Sequence, residues 1–160
     1  MPTPQRDSEL VIRAAREGDE ARLVELSAQL GYRSTLEQME VRLAALLADD
    51  GHAVFVVDLP GTPLAGWIHV FRYLVPEADL RGEIGGLVVD AACRRRGVGR
   101  ALMRRAEQWA IEKGCSTVSL RSNVIREGAH AFYRSLGYSV YKTQHAFRKP
   151  VGADDPVFST

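Results

Sequence analysis

Arg94-Arg95-Arg96-Gly97-Val98-Gly99-Arg100 gathers four guanidiniums and two glycines between the apolar run Leu87-Val88-Val89 and a helical pattern running to Lys113. A strand that turns into a helix here leaves the first helical N–H groups unpaired and aimed above the turn. Gly97 and Gly99 let a bulky anion approach the backbone, and planar guanidiniums bind phosphate oxygens through paired N–H donors. The chemistry these residues suit is the cradling of a pyrophosphate. The spacing is neither GxGxxG nor GxxxxGK[ST], so neither a dinucleotide fold nor a nucleoside triphosphatase is indicated. A plain arginine-rich turn facing solvent is the competing reading.

The surrounding elements must place this segment. Residues 9–15 read as a short first strand, and Leu23, Leu26 and Leu30 recur at helical spacing after Gly18-Asp19. Ser34 with Glu37 forms a capping-box pattern for a second helix, whose Leu36, Met39, Leu43, Leu46 and Leu47 make one apolar stripe. Residues 53–59 and 64–75 read as hairpin strands joined by Pro60-Gly61-Thr62-Pro63. A loop over residues 76–79 leads to a strand over 83–89. Val98, Ala101, Leu102, Ala106, Trp109 and Ala110 then mark one face of a helix that Gly114 stops. A strand over 117–121, a short helix over 126–136 and one or two strands over 138–148 complete the pattern. Residues 1–8 and 150–160 read as weakly ordered ends of a single domain spanning 1–160. The order predicts an α/β protein (α+β in some schemes), with a mixed sheet and helices on both faces. In such sheets ligands sit beyond the carboxyl ends of strands, where residues 90–100 fall.

Composition narrows the function. The 160 residues, 46% hydrophobic, suit one domain with a sizeable core. A formal net charge of +1 argues against a broadly basic nucleic-acid surface, and no aromatic platform is interleaved with the arginines. No apolar stretch approaches membrane-spanning length, and the opening MPTPQRDS lacks a signal-peptide core. Cys93 and Cys115 have no metal-ligand spacing, and neither do His52, His130 and His145, so reduced thiols in a cytoplasmic protein without a bound metal are expected.

The chain from Glu83 to Lys149 resembles the GCN5-related N-acetyltransferase (GNAT) superfamily. Arg94-Arg95-Arg96-Gly97-Val98-Gly99 matches the family pattern of Gln or Arg, two free positions, Gly, one free position, then Gly or Ala. Downstream, Phe132-Tyr133 with Gly137-Tyr138 matches a second family element, in the expected order. The resemblance implies a mostly antiparallel sheet with splayed central strands and acetyl-CoA as the cofactor. Its pyrophosphate would lie over the amides of Arg95, Arg96, Gly97, Val98, Gly99 and Arg100, with Arg94 beside them. Its pantetheine would lie along Leu87, Val88 and Val89, pairing with strand edges much as another strand would. Gly85-Gly86 then eases ligand approach or permits a bulge, ordinary sheet curvature being the alternative.

The resemblance also suggests roles in transfer. Tyr133 matches the tyrosine that protonates the coenzyme sulfur in many relatives; the alternative is a ring packed beside Phe132. Glu83, at the start of the fourth strand, matches the register of a catalytic base; the alternative is a solvated strand-edge carboxylate. Asn123 matches a position near the coenzyme, or caps the helix before Arg126, and Arg126 reaches coenzyme phosphate or faces water. His69 shares a strand face with Trp67 and Phe71, where it lines an amine pocket or packs. The expected acceptor is a primary amine on a small molecule, with a peptide or protein amine second and a non-catalytic acyl-CoA-binding module third. A homodimer is implied as well, since dimers are frequent in the superfamily.

Overall fold

In the computed structural model, which describes residues 10–152, alternation along two long strands organises the sheet. The elements are β1 (Val11–Ala14), α1 (Glu20–Ala28), α2 (Leu36–Leu47), β2 (His52–Leu59), β3 (Thr62–Val75), β4 (Ala78–Val89), α3 (Val98–Glu112), β5 (Thr117–Leu120) and α4 (Glu127–Ser135). They form two compact units, one ending at Ser122 and one beginning at Asn123. The first holds a five-stranded sheet in the order β1-β2-β3-β4-β5. Every pairing is antiparallel except β4 with β5.

On β3, Gly66, Ile68 and Val70 point to one face, and Ile68 and Val70 are fully buried. Helix α3 lies against that face so closely that a Cβ on Gly66 would meet Val98 Cγ1 at 2.9 Å. The opposite face carries α1 and α2, where Leu23, Leu26, Leu43, Val54, Val56 and Val88 form a core that Trp67 covers. Arg13 joins Asp19 and Asp58 at 2.8 Å each, tying β1 to the start of α1 and to β2.

Several sequence expectations shift. The capping box of α2 is Thr35 with Gln38, not Ser34 with Glu37: Thr35 Oγ1 accepts from the Gln38 N–H at 3.1 Å, and the Thr35 N–H donates to Gln38 Oε1 at 3.0 Å. Both pairs fit the pattern, and Leu43 of the expected stripe is in the core. Leu36 and Leu47 from the expected stripe end up exposed. The loop expected over 76–79 is a tighter turn, since Val75 already pairs with Ala78. β4 therefore starts five residues early, and Glu83 sits inside a strand rather than at its start. Arg81 and Gly82 carry no strand signature; their pairing with Tyr73 and Arg72 decides the matter.

The first strand is shorter than expected, beginning at Val11; Glu9 and the termini 1–8 and 153–160 lie outside the described residues. The strands expected over 138–148 do not form: among the described residues this stretch has no regular secondary structure, with Val140, Tyr141 and Phe147 exposed. Alternation alone does not make a strand without a ladder partner.

Candidate active site

β4 pairs with β5 only from Arg81 with Thr117 to Ile84 with Leu120. Beyond Ile84, β4 runs on to Val89 while β5 ends at Leu120, so among the described residues that stretch of β4 has no ladder partner on this edge. Just past the last pair β4 bulges: His69 pairs with Gly86 and Val70 with Ile84, leaving Gly85 without a partner. Both bulge residues turn toward the face that carries Trp67 and His69. A Cβ on Gly85 would come within 2.4 Å of His69 Nδ1, and one on Gly86 within 2.7 Å of the Trp67 ring. Glycine is required at both positions because those rings occupy the space, yet the Gly85 backbone itself is exposed. The bulge anticipated from Gly85-Gly86 is present.

The free edge of β4 leads to the arginine segment. After Val89, Asp90 is pinned from α1: Arg22 bonds its carboxylate, and Gln29 Oε1 accepts the Ala91 N–H at 2.9 Å. The Ala92 amide and the Arg22 guanidinium hold the Asp90 carboxyl below the usual carboxylate range. A 3-10 turn (Ala91–Cys93) follows, with Cys93 buried as a wedge beneath the loop. Arg95 adopts φ +65° and Gly97 φ +79°, and the chain enters α3 with no side-chain cap. For a non-glycine residue such as Arg95 the left-handed conformation costs on the order of 1 kcal/mol, and strain of this kind collects at ligand-binding turns.

Ala101 is the first helical amide to pair, with the Gly97 carbonyl at 3.0 Å, which leaves the amides of Val98, Gly99 and Arg100 at the open helix end. Nothing lies within 4 Å of where a Gly97 Cβ would stand. Arg94, Arg95, Arg96 and Arg100 are exposed, and among the described residues none is in an ion pair. Unpaired amides, open space and free guanidiniums fit a pyrophosphate, and the unpaired edge at Leu87 and Val89 fits an amide-bearing arm. The Val88 and Val98 side chains are buried in the core, so those two residues offer only backbone.

Glu83 is 6% exposed, which removes the reading of a solvated edge carboxylate. Its Oε2 accepts a short hydrogen bond from Ser119 Oγ on β5 and lies 3.5 Å from Arg81 Nε, while Oε1 lies 3.8 Å from Arg121 Nε. Sequence reasoning missed all three partners, because the parallel register that sets Ser119 beside Glu83 has no local signature. Glu83 shares a sheet face with its partner Phe71 and with His69. His69, His52 and Phe71 form a mutual trio of stacked rings, with centroids 5.2 Å (His52 to His69), 5.3 Å (His52 to Phe71) and 5.3 Å (His69 to Phe71) apart.

Burial, reinforced by His52, pushes the His69 imidazole down to about 4 from the ordinary 6.5. The unfolded chain then binds a proton that the folded chain refuses, so this contribution is present above pH 6.5 and is lost as pH falls toward 4. Wild-type protein should lose about 3 kcal/mol more than a His69→Asn variant across that interval in urea unfolding. Equal losses would show that His69 titrates normally.

The second unit holds Asn123, Arg126 and Tyr133. Asn123 Oδ1 accepts from the Ile125 N–H at 3.2 Å, and its carbonyl accepts from the Arg126 N–H and from His130 Nε2, both at 3.0 Å. Asn123 thus organises the turn ahead of α4, while Arg126 is the residue at the helix start. Tyr133 is half-buried, with Phe132 and Tyr138 at 5.3 and 6.3 Å. Burial raises its phenol above the ordinary value, and Arg126 pulls partly the other way. Among the described residues no cluster of three His, Cys, Asp or Glu could hold a metal ion, and no helix is long and apolar enough to cross a membrane.

Comparison with known proteins agrees with this geometry. The sequence profile described as "Acetyltransferase (GNAT) family" matches residues 19–138, spanning both units. An uncharacterized N-acetyltransferase of Bacillus subtilis (strain 168) is 41% identical over 69 residues, 42% of this chain and 47% of that protein. An aminoglycoside N(6')-acetyltransferase type 1 of Klebsiella aerogenes is 23% identical over 151 residues, 91% of this chain and 99% of its own length. A putative acetyltransferase from Agrobacterium tumefaciens superposes with a TM-score of 0.76 at 30% identity, over 87% of this chain and 99% of that one. The match over residues 19–138 leads to one assignment, with which the open, arginine-rich turn ahead of α3 and the bulged β4 agree: the chain belongs to the acetyltransferase (GNAT) family, enzymes that use acetyl-CoA.

Proposed function

We propose that this enzyme acetylates a primary amine on a small molecule. The observation that carries the reading is the sheet face beside the Gly85 bulge, where the Glu83 carboxylate, a row of aromatic rings and an exposed backbone edge converge at the end of the cofactor groove. The aminoglycoside-acetylating relative supports a small acceptor, because the likeness extends over nearly all of both chains.

In this reading the amides of residues 98–100, with Arg94, Arg95, Arg96 and Arg100, hold the cofactor phosphates, and the β4 edge from Leu87 to Val89 holds the pantetheine arm. The family resemblance adds Asn123 and Arg126 of the second unit as cofactor-binding residues. Acetyl-CoA, when bound, supplies the acetyl group on a thioester. Glu83 removes the ammonium proton of the acceptor through Oε1, the oxygen that Ser119 and Arg81 leave available. Tyr133 donates its phenolic proton to the departing sulfur. A neutral phenol, stabilised by burial, is in the correct state for that donation.

The deciding experiment measures amine-dependent CoA release with polyamines, aminoglycosides, amino acids and lysine peptides, with acetyl-CoA binding followed calorimetrically in the same preparation. Turnover concentrated among small amines is expected. Preferential turnover of peptides would move the acceptor to the protein class, and tight acetyl-CoA binding without turnover of any amine would point to a non-catalytic module.

A further inference from the structure

Arg94, Arg95, Arg96 and Arg100 crowd like charge onto one short turn, and among the described residues none of them is in an ion pair. Mutual repulsion favours a splayed turn, and the left-handed backbone of Arg95 adds strain. Contacts from outside the turn must therefore set its shape before an anion arrives. They converge on its root, Asp90 and Ala91.

The Asp90 N–H donates to the Ala65 carbonyl on β3 at 2.8 Å, and the Asp90 carbonyl accepts from the Cys93 N–H at 2.8 Å. The Asp90 carboxylate accepts from the Arg22 guanidinium on α1 and from the Ala92 N–H at 3.0 Å. Its side chain is only 13% exposed, so the bond to Arg22 is shielded in a way that a surface ion pair is not. Gln29, which caps the end of α1, reaches the same root with both ends of its amide. Its Oε1 accepts from the Ala91 N–H at 2.9 Å, and its Nε2 donates to Asp90 Oδ1 at 3.4 Å. Arg22 and Gln29 lie two helical turns apart and so share one side of α1. That helix is a firm mounting: Leu23 and Leu26 are buried in the core, Asp19 at its start accepts from Arg13 and from the Arg16 N–H, and Glu25 holds Arg22 at 3.1 Å.

We propose that Arg22 and Gln29 are positioning residues for acetyl-CoA: acting from α1 through Asp90 and Ala91, they hold the arginine turn in the shape that receives the pyrophosphate. This role rests on the reading of residues 94–100 as the phosphate cradle given above. Neither side chain has to touch the cofactor. Each reduces the ordering that the cofactor must otherwise impose on the turn, and a preformed site binds more tightly for that reason. The effect belongs to binding and not to chemistry, because the acetyl thioester is at the far end of the cofactor from the pyrophosphate. It also belongs only to donors that carry a pyrophosphate.

The test follows acetyl-CoA binding by calorimetry, and kcat and KM with the best amine from the panel. Arg22→Gln is expected to raise the Kd for acetyl-CoA about tenfold and Gln29→Ala about threefold. The KM for acetyl-CoA should rise in step, while kcat at saturation and the KM for the amine stay at wild-type values. Arg22→Lys, which keeps the charge opposite Asp90, should recover most of the affinity. Arg22→Gln combined with Asp90→Asn should bind no worse than the weaker single variant, because both changes remove the same bond. S-acetylpantetheine, a donor without a pyrophosphate, gives the sharpest contrast: its kcat/KM should be the same in wild type and in every variant. Equal losses with both donors would overturn the positioning role in favour of general support of the fold. Losses that multiply in the double variant would overturn the route through Asp90. A protein carrying Arg94→Ala and Arg96→Ala separates the two readings. If it keeps wild-type affinity for acetyl-CoA, the cradle falls and the positioning role with it; if it loses affinity while Arg22→Gln and Gln29→Ala keep theirs, the positioning role alone falls.

Discussion

Replacing Tyr133 with Phe is expected to lower kcat by roughly 10²-fold or more, the usual scale for loss of a positioned proton donor. The substitution removes one hydroxyl and keeps the ring, so the contacts with Phe132 and Tyr138 persist. Thermal stability and acetyl-CoA affinity should therefore stay close to wild type. The pH profile gives a second readout. In the proposed mechanism Tyr133 acts as a neutral acid; burial penalises its phenolate and raises the pKa above the ordinary tyrosine value, with Arg126 offsetting part of the shift. Wild-type kcat should accordingly hold through the alkaline range in which an ordinary tyrosine would ionise, and fall only beyond it. The Phe variant should lack that limb. An unchanged kcat and an unchanged alkaline limb would assign Tyr133 to aromatic packing.

A Gly85→Val variant is expected to damage both stability and cofactor binding. Its Cβ would come within 2.4 Å of His69 Nδ1 and 3.0 Å of Cε1. The imidazole has little freedom to retreat, because it stacks on His52 and Phe71 and shares a hydrogen bond with His52. Overpacking of this kind costs about 1–3 kcal/mol, and each kcal/mol lowers the melting temperature by about 2–4 °C in a chain of this size. Displacing the bulge also moves the unpaired edge of β4, so acetyl-CoA affinity should fall about tenfold, equivalent to about 1.4 kcal/mol. Gly128→Ala is the matching control: it lies in α4 with nothing within 4 Å of a new Cβ, and alanine is the better helix former. Calorimetry and thermal melts on both variants decide the point. A Gly85→Val protein with wild-type melting temperature and affinity would mean that the bulge is soft.

What could be read along the chain were features whose causes are local. The strand, glycine turn and helix around residues 94–100 were legible because they follow one another directly, and α3 was legible because its apolar positions recur at one helical period over many turns. The Phe132-Tyr133 and Gly137-Tyr138 element was legible for the same reason: helix α4 and its end lie within a few residues. Legibility stopped where two local solutions were equally good. Ser34 with Glu37 and Thr35 with Gln38 differ by a single step, and local residue types favour neither; the folded helix uses the second pair.

Other features depend on residues far apart in the chain. The early start of β4, the bulge at Gly85, the enclosure of Glu83 by Ser119, Arg81 and Arg121, and the pairing of His52 with His69 all follow from strand register. The segment at 138–148 gives the converse case, an alternating sequence that stays out of any ladder. Propensity, capping and turn chemistry act over a few residues, so the turn at 94–100 with its open helix end and the family membership were written into the order of amino acids. Register is a contest among side chains brought together from distant positions, settled by packing α1 and α2 on one face and α3 on the other. It was therefore only the folded sheet that converted Glu83 from a strand-edge carboxylate into a buried, bonded group, and set His69 against His52 and Phe71.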